Sequence, residues 1–270
     1  MTLFIASATA DAQVIVADGR ITDLRTGKVY DDSTYKIFLY ANGRQRYRFG
    51  VAFTGLAHLG SISTIDWLME NLPKVMDLDT DIGQGITAFT SECTRRFSAI
   101  KTLPLKYKGV TIVFCGSYNK FGPHTSVTER VPLTTIISNC IDKIGRQINS
   151  VSRDFSAFSA RLFKPKSRIT VCRGDLATAS LYSKEFLYLR RLFRRNLSYK
   201  TEIKIAVDYI RTVASRSHTV GLDILGLALL ENGSAEGFDY HVDEDTLVNT
   251  MPHFVSADGL RVTNFKVEPV

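Results

Sequence analysis

The sequence predicts a layered α+β domain, with two β-sheets face to face and helices covering both outer sides. Three observations predict it. Runs of β-prone residues come in two blocks, each followed by stretches with apolar residues at helical spacing. No internal repeat, low-complexity tract or Gly/Ser linker divides the chain. Finally, 44% of its 270 residues are hydrophobic, enough to form one sizeable core.

Residues 3–8 and 13–17 are short apolar runs on either side of Asp11-Ala12 and read as a first hairpin. Residues 18–33 are polar, with Gly19, Gly27 and Asp31-Asp32, and read as a loop or short hairpin. Residues 35–40 form a third strand, Asn42-Gly43 a turn, and residues 49–54 a fourth strand ending at Gly55. Residues 61–72 read as a helix capped by Ser61 or Ser63, with Ile65, Leu68, Met69 and Leu72 on one face and Pro73 closing it. A second helix spans 81–100, its face made by Ile82, Ile86, Phe89, Cys93 and Phe97.

Residues 110–115 are a strongly apolar strand, whereas the polar stretch 117–130, with Gly122-Pro123, reads as loop. Residues 134–138, 155–162 and 169–172 are further strands, the last ending in Arg173-Gly174-Asp175. Residues 179–193 and 202–214 read as helices, and in the second Ile203, Val207, Ile210 and Ala214 share a face. A final apolar run covers 220–229. Residues 1–230 are thus the domain. Residues 231–270, with Asp243-Glu244-Asp245 and Pro252, are an expected irregular C-terminal extension packed on it.

Several function classes are excluded or weakened. No apolar run reaches 18 residues, so no transmembrane segment is expected. The first ten residues lack a basic leader and read as a strand of the mature fold. Cys93, Cys115, Cys140 and Cys172 contain no CxxC pair and read as reduced, buried thiols of a cytoplasmic protein. His58, His124, His218, His241 and His253 show no ligand spacing, so no metal is expected. Ser117 lacks a G-x-S-x-G elbow, and Gly83-Gln84-Gly85 lacks the lysine of a phosphate loop. The net charge is +7. Its one dense cluster is Arg190, Arg191, Arg194 and Arg195. These could form a nucleic-acid patch or the solvated face of a helix that buries Leu189, Leu192 and Phe193. No nucleic-acid motif accompanies them, so the solvated face is favoured.

The chemistry concentrates in the first 55 residues. Thr2 follows the initiator Met, and its small side chain favours removal of Met1. A free N-terminal Thr joins a hydroxyl nucleophile to its own base, because an α-amine has a pKa of about 7.7–8.0. Asp18 lies sixteen residues on, in Val16-Ala17-Asp18-Gly19-Arg20; Lys36 follows in Tyr35-Lys36-Ile37, and Phe53-Thr54-Gly55 ends an apolar strand.

This series, Thr2, Asp18, Arg20, Lys36 and Gly55, resembles the proteasome β-subunits and bacterial proteasome-like ring peptidases, members of the N-terminal nucleophile (Ntn) hydrolases. The segment between Asp18 and Lys36 is about two residues longer than the family pattern. The resemblance implies a four-layer αββα sandwich, with Thr2 as nucleophile, Lys36 tuning its amine, Asp18 holding Lys36, and the Gly55 N–H facing the oxyanion. It weakens later. Gly174 stands where the family has the glycine of a G-S-G-S-like turn, but Arg173 and Asp175 replace the serines. Thr219 and Gly221 fit a later Ser-Gly-Gly, while Arg216 replaces an Asp.

The implied function is a threonine-type hydrolase cleaving amide, and foremost peptide, bonds. It would need no metal or organic cofactor and would act as a homo-oligomer, a ring being one form, with or without an unfoldase or other activator. The alternatives are a catalytically inactive proteasome-like scaffold or binding protein, and a small-molecule amidase.

Overall fold

In the computed structural model the chain opens as an antiparallel hairpin, β1 (Phe4–Ala8) and β2 (Ala12–Asp18), with Phe4 opposite Ala17. The structure describes residues 3–23, 26, 28–32, 34–43, 47–59, 61–77, 79–121, 127–142, 144–146, 148, 150–162, 168–174, 189, 191–193, 197–240, 247–250, 253–263 and 266–269. Every residue of β1 and β2 is buried, and alternate side chains feed two different cores. Leu3, Ile5, Val14 and Val16 point one way, and Phe4, Ala6, Ile15 and Ala17 the other. Burial on both faces explains a run that is apolar without alternation.

This hairpin lies inside a six-stranded sheet, in the order β12 (Ile169–Arg173), β1, β2, β13 (Ile224–Leu230), β14 (Ala235–Tyr240) and β15 (Leu247–Thr250). An eight-stranded sheet runs β11 (Ser156–Arg161), β10 (Val127–Ser138), β9 (Val110–Phe121), β6 (Tyr47–Gly55), β5 (Ile37–Asn42), β16 (Phe254–Ser256), β17 (Leu260–Thr263) and β18 (Lys266–Pro269). Two small ladders join β3 (Ile21–Thr22) to β4 (Val29–Asp31), and β7 (His58–Leu59) to β8 (Ile62–Ser63).

Between the two large sheets, Phe4, Ile15, Ala52, Val113, Leu225 and Leu227 form one apolar cluster. The opposite face of β6 and β9, with Phe49, Phe53, Ile112 and Phe114, packs on helices α1 (Thr64–Val75) and α2 (Ile82–Ser98). Trp67 of α1 stacks on Phe89 of α2 at 5.9 Å between ring centroids. On the six-stranded sheet, Ile203, Val207, Ile210 and Val213 of α3 (Tyr199–Ala214) cover Ile5, Val14 and Ala228. Each helix start carries a side-chain cap, and of these only Ser63 is among the caps expected from the sequence. Ser63 accepts from Asp66 N, Asp81 from Gly83 N and Gln84 N, and Ser198 from Thr201 N.

Four expectations are corrected. Pro73 lies inside α1, where it is buried, and the helix continues until Met76 N donates to Leu72 O at 2.8 Å. Residues 117–121 and 127–130 are not loop: β9 and β10 continue through them as a long hairpin, with Tyr118 opposite Val131. The polar side chains there are served by neighbours, Ser117 accepting from Arg130 Nε at 2.8 Å. Lys36 stands just before β5 rather than within the strand. The end of the chain is not an irregular tail, because β14 and β15 complete one sheet while β16 to β18 extend the other. The helix expected over 179–193 is described only at its end, where Leu189 and Phe193 are buried and Arg191 is exposed. Arg190, Arg194 and Arg195 lie outside the described residues.

Candidate functional site

Asp18 ends β2 and is completely buried. Its Oδ1 accepts from Leu3 N at 2.5 Å, and its Oδ2 from Gly221 N at 2.9 Å and Arg20 N at 3.2 Å. Strand pairing dictates part of this. Phe4 stands opposite Ala17, so the residue before Phe4 meets the residue after Ala17. Burial pushes the Asp18 carboxyl up, while the Lys36 ammonium and the N–H groups of Gly221 and Leu3 pull it back down.

Lys36 is equally buried, and its Nζ donates to Arg20 O. Burial lowers its pKa to about 8, against the opposing charges of Asp18, Asp31 and Asp32. Arg20 ties the surrounding segments together: its Nε donates to Asp32 Oδ1 and its Nη1 to His218 O at 2.9 Å. Asp18, Arg20 and Lys36, singled out in the sequence, therefore form one connected cluster. It sits beside Leu3, one residue from Thr2, which itself lies outside the described residues.

Gly55 ends β6 with φ +105°, where a side chain is strained, and a Cβ there would lie 2.0 Å from Gly109 O. Gly109 is held in turn. Leu56 N donates to its carbonyl at 3.1 Å, and Asn139 grips both flanks, accepting from Val110 N at 2.9 Å and donating to Lys108 O at 3.0 Å. Glycine at 55 is thus demanded by geometry whatever its chemistry.

Thr219 is buried, and its Oγ1 shares a 2.9 Å hydrogen bond with Ser217 Oγ. The contact its segment makes with Asp18 comes from Gly221 N instead, and a Cβ on Gly221 would lie 2.8 Å from Arg20 Cβ. Gly174 is buried beyond β12, whose Arg173 pairs with Phe4, so it stands level with Leu3. The Arg173 guanidinium turns to Gly145 O at 3.1 Å.

Two clefts open beside the cluster. One of about 190 Å³ is lined by Gly55, Leu56, Ala57 and Leu103. The other, of about 590 Å³, is lined by Tyr35, Asp31, Asp66 and His253. They share Ile21, Tyr30 and His58. All four cysteines are free and buried. Burial pushes the thiol of Cys140 to about 11 and those of Cys115 and Cys172 to about 12, so none of these three supplies a thiolate at neutral pH. Among the described residues no group of His, Cys, Asp or Glu could hold a metal ion, and no helix is long and apolar enough to cross a membrane.

Sequence reasoning missed the donors Leu3 N and Gly221 N, the Arg20–Asp32 pair and the part played by His218 O. Only Gly221 left a signal, since a glycine near Thr219 marks a close approach.

No protein-family model and no curated protein matches the chain. Among solved structures its fold is similar to that of the Anbu (Gly-1) mutant from Hyphomicrobium sp. strain MC1. The TM-score is 0.60 over 91% of this chain and 89% of that one, at 11% sequence identity. At that identity the likeness concerns the fold alone, a mixed α/β body of proteasome-like arrangement.

Proposed function

We propose that the chain is a threonine-type N-terminal nucleophile hydrolase of four-layer αββα architecture, cleaving amide and foremost peptide bonds through Thr2. One observation carries the reading. Leu3 N donates to the buried Asp18 carboxylate at 2.5 Å, which tethers the residue after the nucleophile to the group that also acts on Lys36.

Once cleavage before Thr2 frees its amine, that amine takes the Oγ proton and Oγ attacks the substrate carbonyl carbon. The Lys36 charge favours the neutral amine, and the Gly55 N–H faces the developing oxyanion. The C–N bond breaks, the leaving amine takes the proton, and an ester forms on Thr2. Water, deprotonated by the same amine, then hydrolyses the ester. Arg20 and Gly221 position Asp18, while Thr219 and Gly174 support the surrounding loops. A cytoplasmic homo-oligomer is part of the proposal.

A second reading, an inactive proteasome-like scaffold, is favoured by Arg173 and Arg216, which stand where the resembled family has Ser and Asp. Steady-state hydrolysis of a panel of fluorogenic peptide amides separates the two. Turnover lost in Thr2→Ala supports the hydrolase, and turnover equal in both proteins refutes it.

A further inference from the structure

A third cleft, of about 320 Å³, opens beside the start of β9, where Lys101, Lys108 and Arg153 line it together with Ile100, Leu105 and Ser152. We propose that it binds a small molecule carrying two or three linked phosphates, and that its occupancy stiffens the backbone against which Gly55 rests. Binding stands on its own, and only its consequence for turnover rests on the hydrolase reading.

Charge selects an anion. Among the described residues, three cations line the cleft and no carboxylate does. None of the three is engaged by a described carboxylate, whereas Lys74, Arg95, Arg146 and Arg168 each pair with one. Asp154, next to Arg153 in sequence, is not part of the lining. Helix α2 ends nearby, but Arg95 and Arg96 in its last turn already complement its dipole. Lys101 and Lys108 flank the short turn Leu105–Tyr107, and Arg153 comes from the segment before β11. A concave surface lined by one sign of charge focuses its field, and a multiply charged anion relieves the mutual repulsion of the three cations.

The donors favour phosphate. A guanidinium matches two oxygens of one phosphate, and ammonium groups meet phosphates as point charges. Ser152 Oγ accepts from Asp154 N at 3.1 Å, which leaves its own proton to donate. Ile100 and Leu105, the latter 38% exposed, offer an apolar wall to the organic part of the ligand. The volume falls at the lower end of the range of about 300–1,000 Å³ typical of small-molecule sites.

The cleft also touches the support of Gly55. Asn139 lines it, and its Nδ2 donates to Lys108 O at 3.0 Å and to Ser152 O at 3.3 Å, so it bridges the residues that carry and adjoin two of the cations. Its Oδ1 accepts from Val110 N at 2.9 Å, and Val110 pairs with Gly55 across the β6–β9 ladder. Gly109 between them is closely packed, since a Cβ there would lie 3.1 Å from Cys140 Sγ. A ligand joining Lys108 to Arg153 clamps the same two segments that Asn139 bridges, and so holds the Gly109 carbonyl that meets Leu56 N.

The test titrates inorganic tripolyphosphate into the full chain by calorimetry in magnesium-free buffer. Lys108→Gln and Arg153→Gln should each weaken binding about fivefold or more. Lys106→Gln removes the same charge from an exposed lysine of the same turn that does not line the cleft, and should change the affinity less than about twofold. A hexaglutamate peptide should bind more weakly than tripolyphosphate. At saturating tripolyphosphate, amide hydrogen exchange at Leu56 and Val110 should slow at least about threefold relative to Ile210 in α3. Absent binding, equal weakening in all three variants, tighter binding of hexaglutamate, or exchange at Leu56 and Val110 that does not slow relative to Ile210 overturns the proposal. None of these readouts involves Thr2, so a failure of the hydrolase reading leaves them standing, and their failure leaves the Thr2 chemistry untouched.

Discussion

Replacing Asp18 by Asn tests the centre of the site without touching Thr2, the proposed nucleophile. The carboxylate uses both oxygens, one for Leu3 N and the other for Gly221 N and Arg20 N. An amide keeps one acceptor and turns a second donor toward whichever N–H remains. A buried donor left unsatisfied costs about 1–3 kcal/mol. Lys36, 1% exposed, also loses a buried counter-charge. Breaking such a pair costs about 3–5 kcal/mol. Lys36 can limit that cost by releasing its proton, since its pKa is already about 8. The two effects share an environment and do not add, so the expected loss is about 3–5 kcal/mol. In a chain of this size that lowers Tm by roughly 10 °C. The assay is urea unfolding at pH 7, with Asp32→Asn as control. Asp32 is a half-exposed partner of Arg20, and its loss should cost less than about 1 kcal/mol. If Asp18→Asn unfolds within about 1 kcal/mol of the wild type, the buried-pair account of the site is wrong.

Gly55→Ala should destabilise by about 2–4 kcal/mol, from positive φ and the clash with Gly109 O, and should slow turnover at least about a hundredfold by moving the N–H. Unfolding curves and kcat measure the two effects separately. Asn139→Ala should cost about 2–3 kcal/mol, because it frees Val110 N and Lys108 O beside Gly109; thermal melts check it. The pH profile of kcat/KM should be a bell. It rises as the Thr2 amine loses its proton and falls as Lys36 loses its own, with the falling limb near 8 because burial has lowered that pKa. Asp32→Asn removes one of the charges holding Lys36 up, so the falling limb should move to lower pH.

The parts legible in the sequence are those governed by local rules. β1, β2, β6 and the first half of β9 declared themselves by apolar runs, α1 by period and cap, and α2 and α3 by period. What stayed hidden depends on partners distant in sequence. The second half of β9 is polar, and its strand form comes from pairing with β10. β16 joins the parallel flank of β5, more than two hundred residues away. Pro73 looked like a helix stop, yet the last turn of α1 tolerates it over a packed core. At the site, the series Asp18, Lys36 and Gly55 was visible through its resemblance to a family spacing; Asp18 and Gly55 end strands, and Lys36 stands just before one. The Gly221 N–H that completes Asp18 arrives 203 residues later, and no local pattern could announce it.

The central claim is that Thr2, the residue before the Leu3 held by Asp18, is a live nucleophile. Intact mass of the purified protein, before and after a β-lactone or vinyl-sulfone probe and with Thr2→Ala alongside, tests it most directly. The account predicts a chain lacking the mass of Met1 that gains a single adduct, absent in Thr2→Ala. A retained Met1, or an adduct that persists in Thr2→Ala, would contradict it.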